Sequence, residues 1–230
     1  MSTREPQYEL HFETQETYGR SLLGIGANAT WNLDPIRLTF VLSRYKFVAR
    51  MLTGTEHVLE VGCGDGFASR IVRQHVKNLV VSDFDPTYTQ EASEQLTGAF
   101  YADTRTHDFV ERPMDDNFDA IYMLDVLEHV RAIDQDRMLQ NLCASLKKHG
   151  VLIVGIPSLE SQDYASPGSK LGHINCKSGV NLKTELQVFF HNVFLFSMND
   201  EVVHTGFSPM AHYLFALCVG PIQSRETLSQ

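Results

Sequence analysis

Asp125, Glu128 and His129 fall within five positions of one another in "DVLEHV". Imidazole titrates near neutrality, so a positioned histidine with a carboxylate beside it can take a proton from an acceptor group. On that reasoning His129 is the first candidate base, with Glu128 able to orient or activate it, and His173 in "SKLGHINCKS" is the second. The same residues permit a metal reading, since His173 and Cys176 also stand at ligand-like spacing. Acids at a helix start need no ion to explain them, because the helix dipole favours them there, and no metal is expected.

A second group is the stretch "VLEVGCGDGFASRIV", Val58 to Val72. Gly62, Gly64 and Gly66 follow an apolar run, with Cys63 between them and the acids Glu60 and Asp65 on either side. A glycine-rich turn between strand and helix lets backbone N–H groups approach a ligand closely. A dinucleotide site would space its glycines as G-x-G-x-x-G and avoid negative charge near the pyrophosphate. Here the spacing is G-x-G-x-G, and flanking carboxylates would repel a pyrophosphate but attract a sulfonium and an ammonium group. S-adenosylmethionine carries both. Asp83 closes "VVSD", where a carboxylate can accept from both hydroxyls of a ribose, and Phe84 beside it offers an apolar face to the adenosine. Asp108 is placed to accept from the adenine amino group, with Asp103 competing because the end of its strand is blurred.

These residues need a sheet to hold them. Strands are expected at "HVLEVG", "NLVVSD", near "AFYADTRTHD", at "FDAIYML" and at "VLIVGIPS". Helices are expected from Asp34-Pro35 to Gly54, with Asp34 as side-chain cap, and at "FASRIVRQH", "TYTQEASEQL" and "DQDRMLQNLCASLKKHG", the last stopping at Gly150. Alternating strands and helices of these lengths imply a mostly parallel sheet covered on both faces. Ligands in such sheets bind at the carboxyl ends of the strands. The tail departs from this pattern, with a short helix at "NLKTELQVFF" and then two strands, "NVFLFSMND" and "MAHYLFALCVG", joined by a polar loop "EVVHTGFSP". Consecutive strands without a helix between them suggest an antiparallel pair.

The 230 residues, 43% hydrophobic and 20% charged, suit one globular domain. We divide it into an N-terminal lid segment (1–33), a cofactor-binding core (34–158), a substrate loop (159–180) and a C-terminal helix and hairpin (181–222). The glycines of the lid segment are expected to open no helix. Arg20, Arg37, Arg44 and Tyr45 either meet an anionic or hydroxylated acceptor or stand on a solvated helix face. A net charge of -9 with no basic stripe argues against nucleic acid. The start is polar and acidic and no apolar run reaches spanning length, so a cytoplasmic protein without membrane contact is expected. Four scattered cysteines indicate neither disulfides nor a zinc ribbon. Oligomeric state is left open between monomer and homodimer.

As an ordered set, "VLEVGCGDG", "VVSDFDP", "THDF" ahead of "FDAIYMLDVLEHV", and "KKHGVLIVGIPS" resemble the motifs of class I S-adenosylmethionine-dependent methyltransferases. The resemblance spans roughly residues 58–158. It is nearest to the small-molecule branch that includes ubiquinone-pathway and sugar methyltransferases. It implies a Rossmann-like, seven-stranded, mostly parallel sheet with helices on both faces and a C-terminal antiparallel hairpin. It also implies that Glu60, Gly62, Gly64 and Gly66 cradle the methionine end of S-adenosyl-L-methionine, that Asp83 holds the ribose and Asp108 the adenine, and that Leu124 and Asp125 border the pocket floor. The implied activity is methyl transfer (EC 2.1.1.-) to an oxygen, or else a nitrogen, of a small acceptor such as a sugar or natural-product intermediate. Two other classes share these features, a catalytically silent scaffold on the same fold and an NAD-dependent oxidoreductase. An intact glycine loop and ribose acid speak against the first, and the glycine spacing and its acids against the second.

Overall fold

The computed structural model describes residues 3–222, so the first two positions of the lid segment lie outside it. Three helices come first, α1 (Glu9–Tyr18), α2 (Ile25–Leu33) and α3 (Pro35–Met51). The chain then alternates through β1 (His57–Val61), α4 (Ser69–Arg73), β2 (Asn78–Asp83), α5 (Pro86–Gln95), β3 (Asp103–Thr106), β4 (Phe118–Leu124), α6 (Ala132–Ala144) and β5 (Leu146–Pro157). Helices α7 (Pro167–Gly172) and α8 (Gly179–Leu186) lead into β6 (Phe190–Asn199), β7 (Val202–His204) and β8 (Tyr213–Pro221).

All eight strands form one sheet in the order β3-β2-β1-β4-β5-β8-β6-β7. Pairing is parallel from β3 to β5 and antiparallel from β5 outward. The central strands are apolar on both faces because both faces are covered. Leu59, Ile121, Leu152 and Val154 belong to one core cluster, while Val58, Ala120, Tyr122 and Ile153, their neighbours in sequence, belong to the other. That alternation is the two-residue period of a strand. The strand order reverses direction between β1 and β4, and a crevice at such a switch point is where open α/β sheets take ligands. No helix of the described residues is long and apolar enough to cross a membrane.

Four local expectations are corrected. The sheet has eight strands and not seven, because Val202–His204 in the supposed polar loop pairs with Ser197–Asn199 as an edge strand. The helix expected to run to Gly150 stops at Ala144. Leu146 pairs with Phe118 and is buried, and the exposed Lys147, Lys148 and His149 form an irregularity before the regular register resumes at Ala120–Val151. Burying Leu146 on the sheet outweighs the helical pattern of the flanking lysines, which stay solvated in either state. Asp34 precedes α3, but its side chain makes no capping bond. The glycines of the lid segment do open a helix: Gly24 stands at the N-cap of α2.

Candidate functional site

The residues that follow β1, β2 and β4 wall a cavity of about 820 Å³, within the range of small-molecule and cofactor sites. Gly62 and Gly64, Asp83 and Phe84, Asp108, Asp125 and His129 all line it. Gly62 has φ +75°, and a Cβ there would stand 2.2 Å from Val126 Cγ2, so only glycine lets the turn after β1 pass the turn after β4. The Asp83 carboxylate shapes this loop as well as facing the cavity: Oδ2 accepts from Gly64 N–H at 3.1 Å and Oδ1 from Asp85 N–H at 3.0 Å. Asp108 Oδ1 accepts from Val110 N–H at 2.7 Å. Asp103 lies at the start of β3, in an ion pair with Arg105 at 2.7 Å, and does not reach the cavity. Phe84, 74% exposed, presents its ring openly at the wall.

Four expected cofactor residues, Glu60, Cys63, Gly66 and Leu124, are not part of this wall, and neither is the flanking acid Asp65. Glu60 is buried beneath the loop, where Oε1 accepts from Tyr45 O–H at 2.6 Å and Oε2 from Tyr122 O–H at 2.7 Å. Burial pushes its carboxyl up, against the pull of the two hydroxyls. Asp65 turns away, accepting from Ala27 N–H of α2 at 2.7 Å and from Phe67 N–H at 3.0 Å. Gly66 serves packing, since a Cβ there would stand 3.0 Å from the Ala92 side chain of α5. Cys63 and Leu124 are buried in the core, and burial raises the Cys63 thiol far above its ordinary range. The acids of the cavity wall are therefore Asp83, Asp85, Asp108, Asp125 and Asp134, with Arg131 beside the last, and not the acids that flank the glycines.

The Glu60 arrangement ties α3, β1 and β4 together, and its loss has a predictable cost. Glu60→Ala leaves two buried tyrosine hydroxyls without an acceptor, at about 1–3 kcal/mol each. Calorimetry is expected to show a melting temperature lower by about 10 °C. Glu60→Gln, which keeps an acceptor, should lose less; equal melting of the wild type and the alanine variant would refute this role.

β4 exits through Asp125, which sits at φ 55° with its N–H bonded to Gly155 O at 3.0 Å. Its carboxylate accepts from Arg44 of α3 at 2.6 Å, and the same guanidinium stacks 3.9 Å from the centre of the Tyr213 ring. Glu128 and His129 follow in a 3-10 turn. The carbonyl of Glu128 accepts from Ile174 N–H at 2.9 Å and Asn175 N–H at 3.0 Å, which stitches the loop after β5 to this turn. As a result the His129 and His173 rings meet with centroids 5.2 Å apart. Burial pushes the His173 imidazole down, and its His129 neighbour adds to this. The Glu128 side chain is fully buried, and burial, then repulsion from Asp125, holds its carboxyl well above its ordinary range. The structure thus brings the three candidate catalytic residues into one cluster, of which His129 alone lines the cavity.

Sequence reasoning did not find Tyr88, His107, Arg131 and Asp134 in the cavity wall. Tyr88 lies in the first turn of α5, four positions after Phe84, and both aromatics line the cavity. Arg131 and Asp134 are paired at 2.6 Å in the first turn of α6 and look in sequence like any solvated pair.

A family model described as a methyltransferase domain matches residues 36–189. The ubiquinone biosynthesis O-methyltransferase of Pasteurella multocida (strain Pm70) is 29% identical over 132 residues, 52% of this chain and 52% of that protein. The chain thus spans about half the length of the curated relative it matches. Among solved structures, the N-methyltransferase NodS of Bradyrhizobium japonicum WM9 in complex with S-adenosyl-L-homocysteine is 18% identical. It superposes with a TM-score of 0.59 over 84% of this chain and 92% of its own. A DhpI-SAM-HEP complex is 16% identical with a TM-score of 0.61, covering 95% of this chain and 99% of its own. A putative methyltransferase in complex with the Haloferax volcanii Trm112 methyltransferase activator is 14% identical with a TM-score of 0.63, covering 88% and 100%. At these identities the structural likeness shows a shared fold.

Proposed function

On the premise that this chain belongs to the methyltransferase domain family, we propose that it transfers the methyl group of S-adenosyl-L-methionine to an oxygen of a small-molecule acceptor. The single observation that carries this reading is the cavity itself. A glycine turn, the carboxylates of Asp83, Asp108 and Asp125, and the His129 imidazole all line it. We assign the cofactor to the glycine turn with Asp83 and Asp108, and the acceptor to the side of His129. The O-methyltransferase relative supports oxygen as the acceptor atom.

In the transfer, an oxygen lone pair forms the new bond to the methyl carbon while the carbon–sulfur bond breaks and its pair returns to sulfur. The acceptor proton leaves on the side of His129 and His173. Alignment of oxygen, methyl and sulfur supplies much of the acceleration, ~7–11 kcal/mol in well-oriented systems. Residues 159–180 hold His173 and frame the acceptor side. Helix α2 packs on the glycine loop, donating from Ala27 N–H to Asp65.

Calorimetry with S-adenosylhomocysteine and with NAD tests the cofactor. Binding of the first alone is the expected result, and binding of NAD alone, or of neither, would overturn the reading. A labelled-methyl assay over a metabolite panel, with mass analysis of the product, then identifies the acceptor and the atom methylated.

A further inference from the structure

We propose that the cleft between α3 and α4 is a second ligand site, separate from the cofactor cavity, which takes a phosphate monoester with an apolar or aromatic body and acts on cofactor binding from there. The cleft has a volume of about 440 Å³ and shares no lining residue with the cofactor cavity. That size suits a small molecule. Lys46 and Arg50 of α3 line it together with His75, which follows α4, and no carboxylate stands among its lining residues.

The chain carries a net charge of -9, yet this cleft gathers two cations and an imidazole. Lys46 and Arg50 stand four positions apart on one helix, where like charges repel. Among the described residues neither has a partner in an ion pair. The helix dipole favours Arg50 in the last turn of α3, but Lys46 lies a turn earlier. An anion between them turns the repulsion into attraction. A phosphate dianion offers three terminal oxygens to the two cations and the imidazole, whereas a carboxylate offers two. Leu42 and Ile71 line the same cleft. A bare phosphate leaves them in water, and a ring or hydrocarbon body attached to it covers them.

Both helices also support the cofactor cavity. Helix α4 follows the glycine turn in the chain, and α3 carries Tyr45 to Glu60 beneath that turn and Arg44 to Asp125 in the cavity wall. A ligand that bridges α3 and α4 holds these supports in the arrangement that forms the cavity, which favours the cofactor. Linkage makes the effect reciprocal. This coupling rests on the methyl-transfer reading, whereas occupancy of the cleft is measured without it.

The test is calorimetric titration of the full chain with phenyl phosphate and with inorganic phosphate. One equivalent of phenyl phosphate is expected to bind, at least about 5-fold more tightly than inorganic phosphate. Lys46→Ala and Arg50→Ala should each weaken it roughly 10-fold. Both side chains are exposed, so neither change disturbs the core. Lys183→Ala, at an exposed lysine of α8 that lines neither cavity, should leave binding unchanged. Saturating phenyl phosphate should tighten S-adenosylhomocysteine binding at least about 3-fold in the wild type, and not in the Lys46→Ala, Arg50→Ala double variant. Absence of stoichiometric binding, an equal loss in Lys183→Ala, or inorganic phosphate binding as tightly as its phenyl ester overturns the site. Binding of the ester with no change in S-adenosylhomocysteine affinity overturns its action on the cofactor. S-adenosylhomocysteine calorimetry without the ester shows separately whether the methyltransferase reading stands.

Discussion

His129→Gln is expected to lower methyl-transfer turnover by about 10²–10⁴-fold while changing S-adenosylhomocysteine affinity by less than about threefold. The separation follows from position. His129 is the one member of the acid–imidazole cluster that opens on the cavity, and Gly172 O fixes its ring by a bond to Nδ1. Glutamine keeps a donor of similar reach but has no nitrogen lone pair with which to take a proton. The group therefore disappears while the cavity shape remains. Single-turnover kinetics with the acceptor found in the labelled-methyl screen, beside calorimetry on the same variant, makes the measurement. Turnover within a few-fold of wild type would remove His129 from the chemistry, and a parallel loss of cofactor affinity would reassign it to the cofactor end.

The second large effect is expected at Asp83. Its carboxylate holds the glycine loop through Gly64 and Asp85 and faces the cavity. On the proposed ribose role, Asp83→Ala removes two charge-assisted bonds, each worth about 1.5–3 kcal/mol, and S-adenosylhomocysteine affinity should fall on the order of 100-fold or more. Asp83→Asn retains one acceptor oxygen and should fall between the alanine variant and the wild type. Circular dichroism distinguishes a lost contact from a lost fold. An alanine variant that binds within twofold of wild type would sink the ribose assignment.

Both effects meet at one place because the sheet gathers the ends of β1, β2 and β4, although residues 62, 83 and 129 are far apart in the chain. The parallel order itself was legible in sequence. The run "FDAIYML" is apolar at every position but one, and "NLVVSD" carries a continuous apolar centre, as strands buried on both faces require, and the strands formed there run over those residues. Edges were harder to read. The three residues of β7 are too few to show a pattern, and only pairing with β6 makes them a strand. The end of α6 depended on where Leu146 finds its partner, which is Phe118 across the sheet.

What the sequence determined alone was the loop, its glycines and the acids at strand ends, since these follow from local spacing and the rule that ligands sit at carboxyl ends. Tertiary packing decided which acids face the cavity. Glu60 and Asp65 border the glycines in sequence, but two tyrosines from α3 and β4 and an amide of α2 claim their carboxylates. Packing also joined His173 to His129, through backbone bonds from Ile174 and Asn175 to the Glu128 carbonyl. The physical reason is that spacing specifies where a side chain starts, whereas its charge goes to whichever donor the folded chain brings nearest.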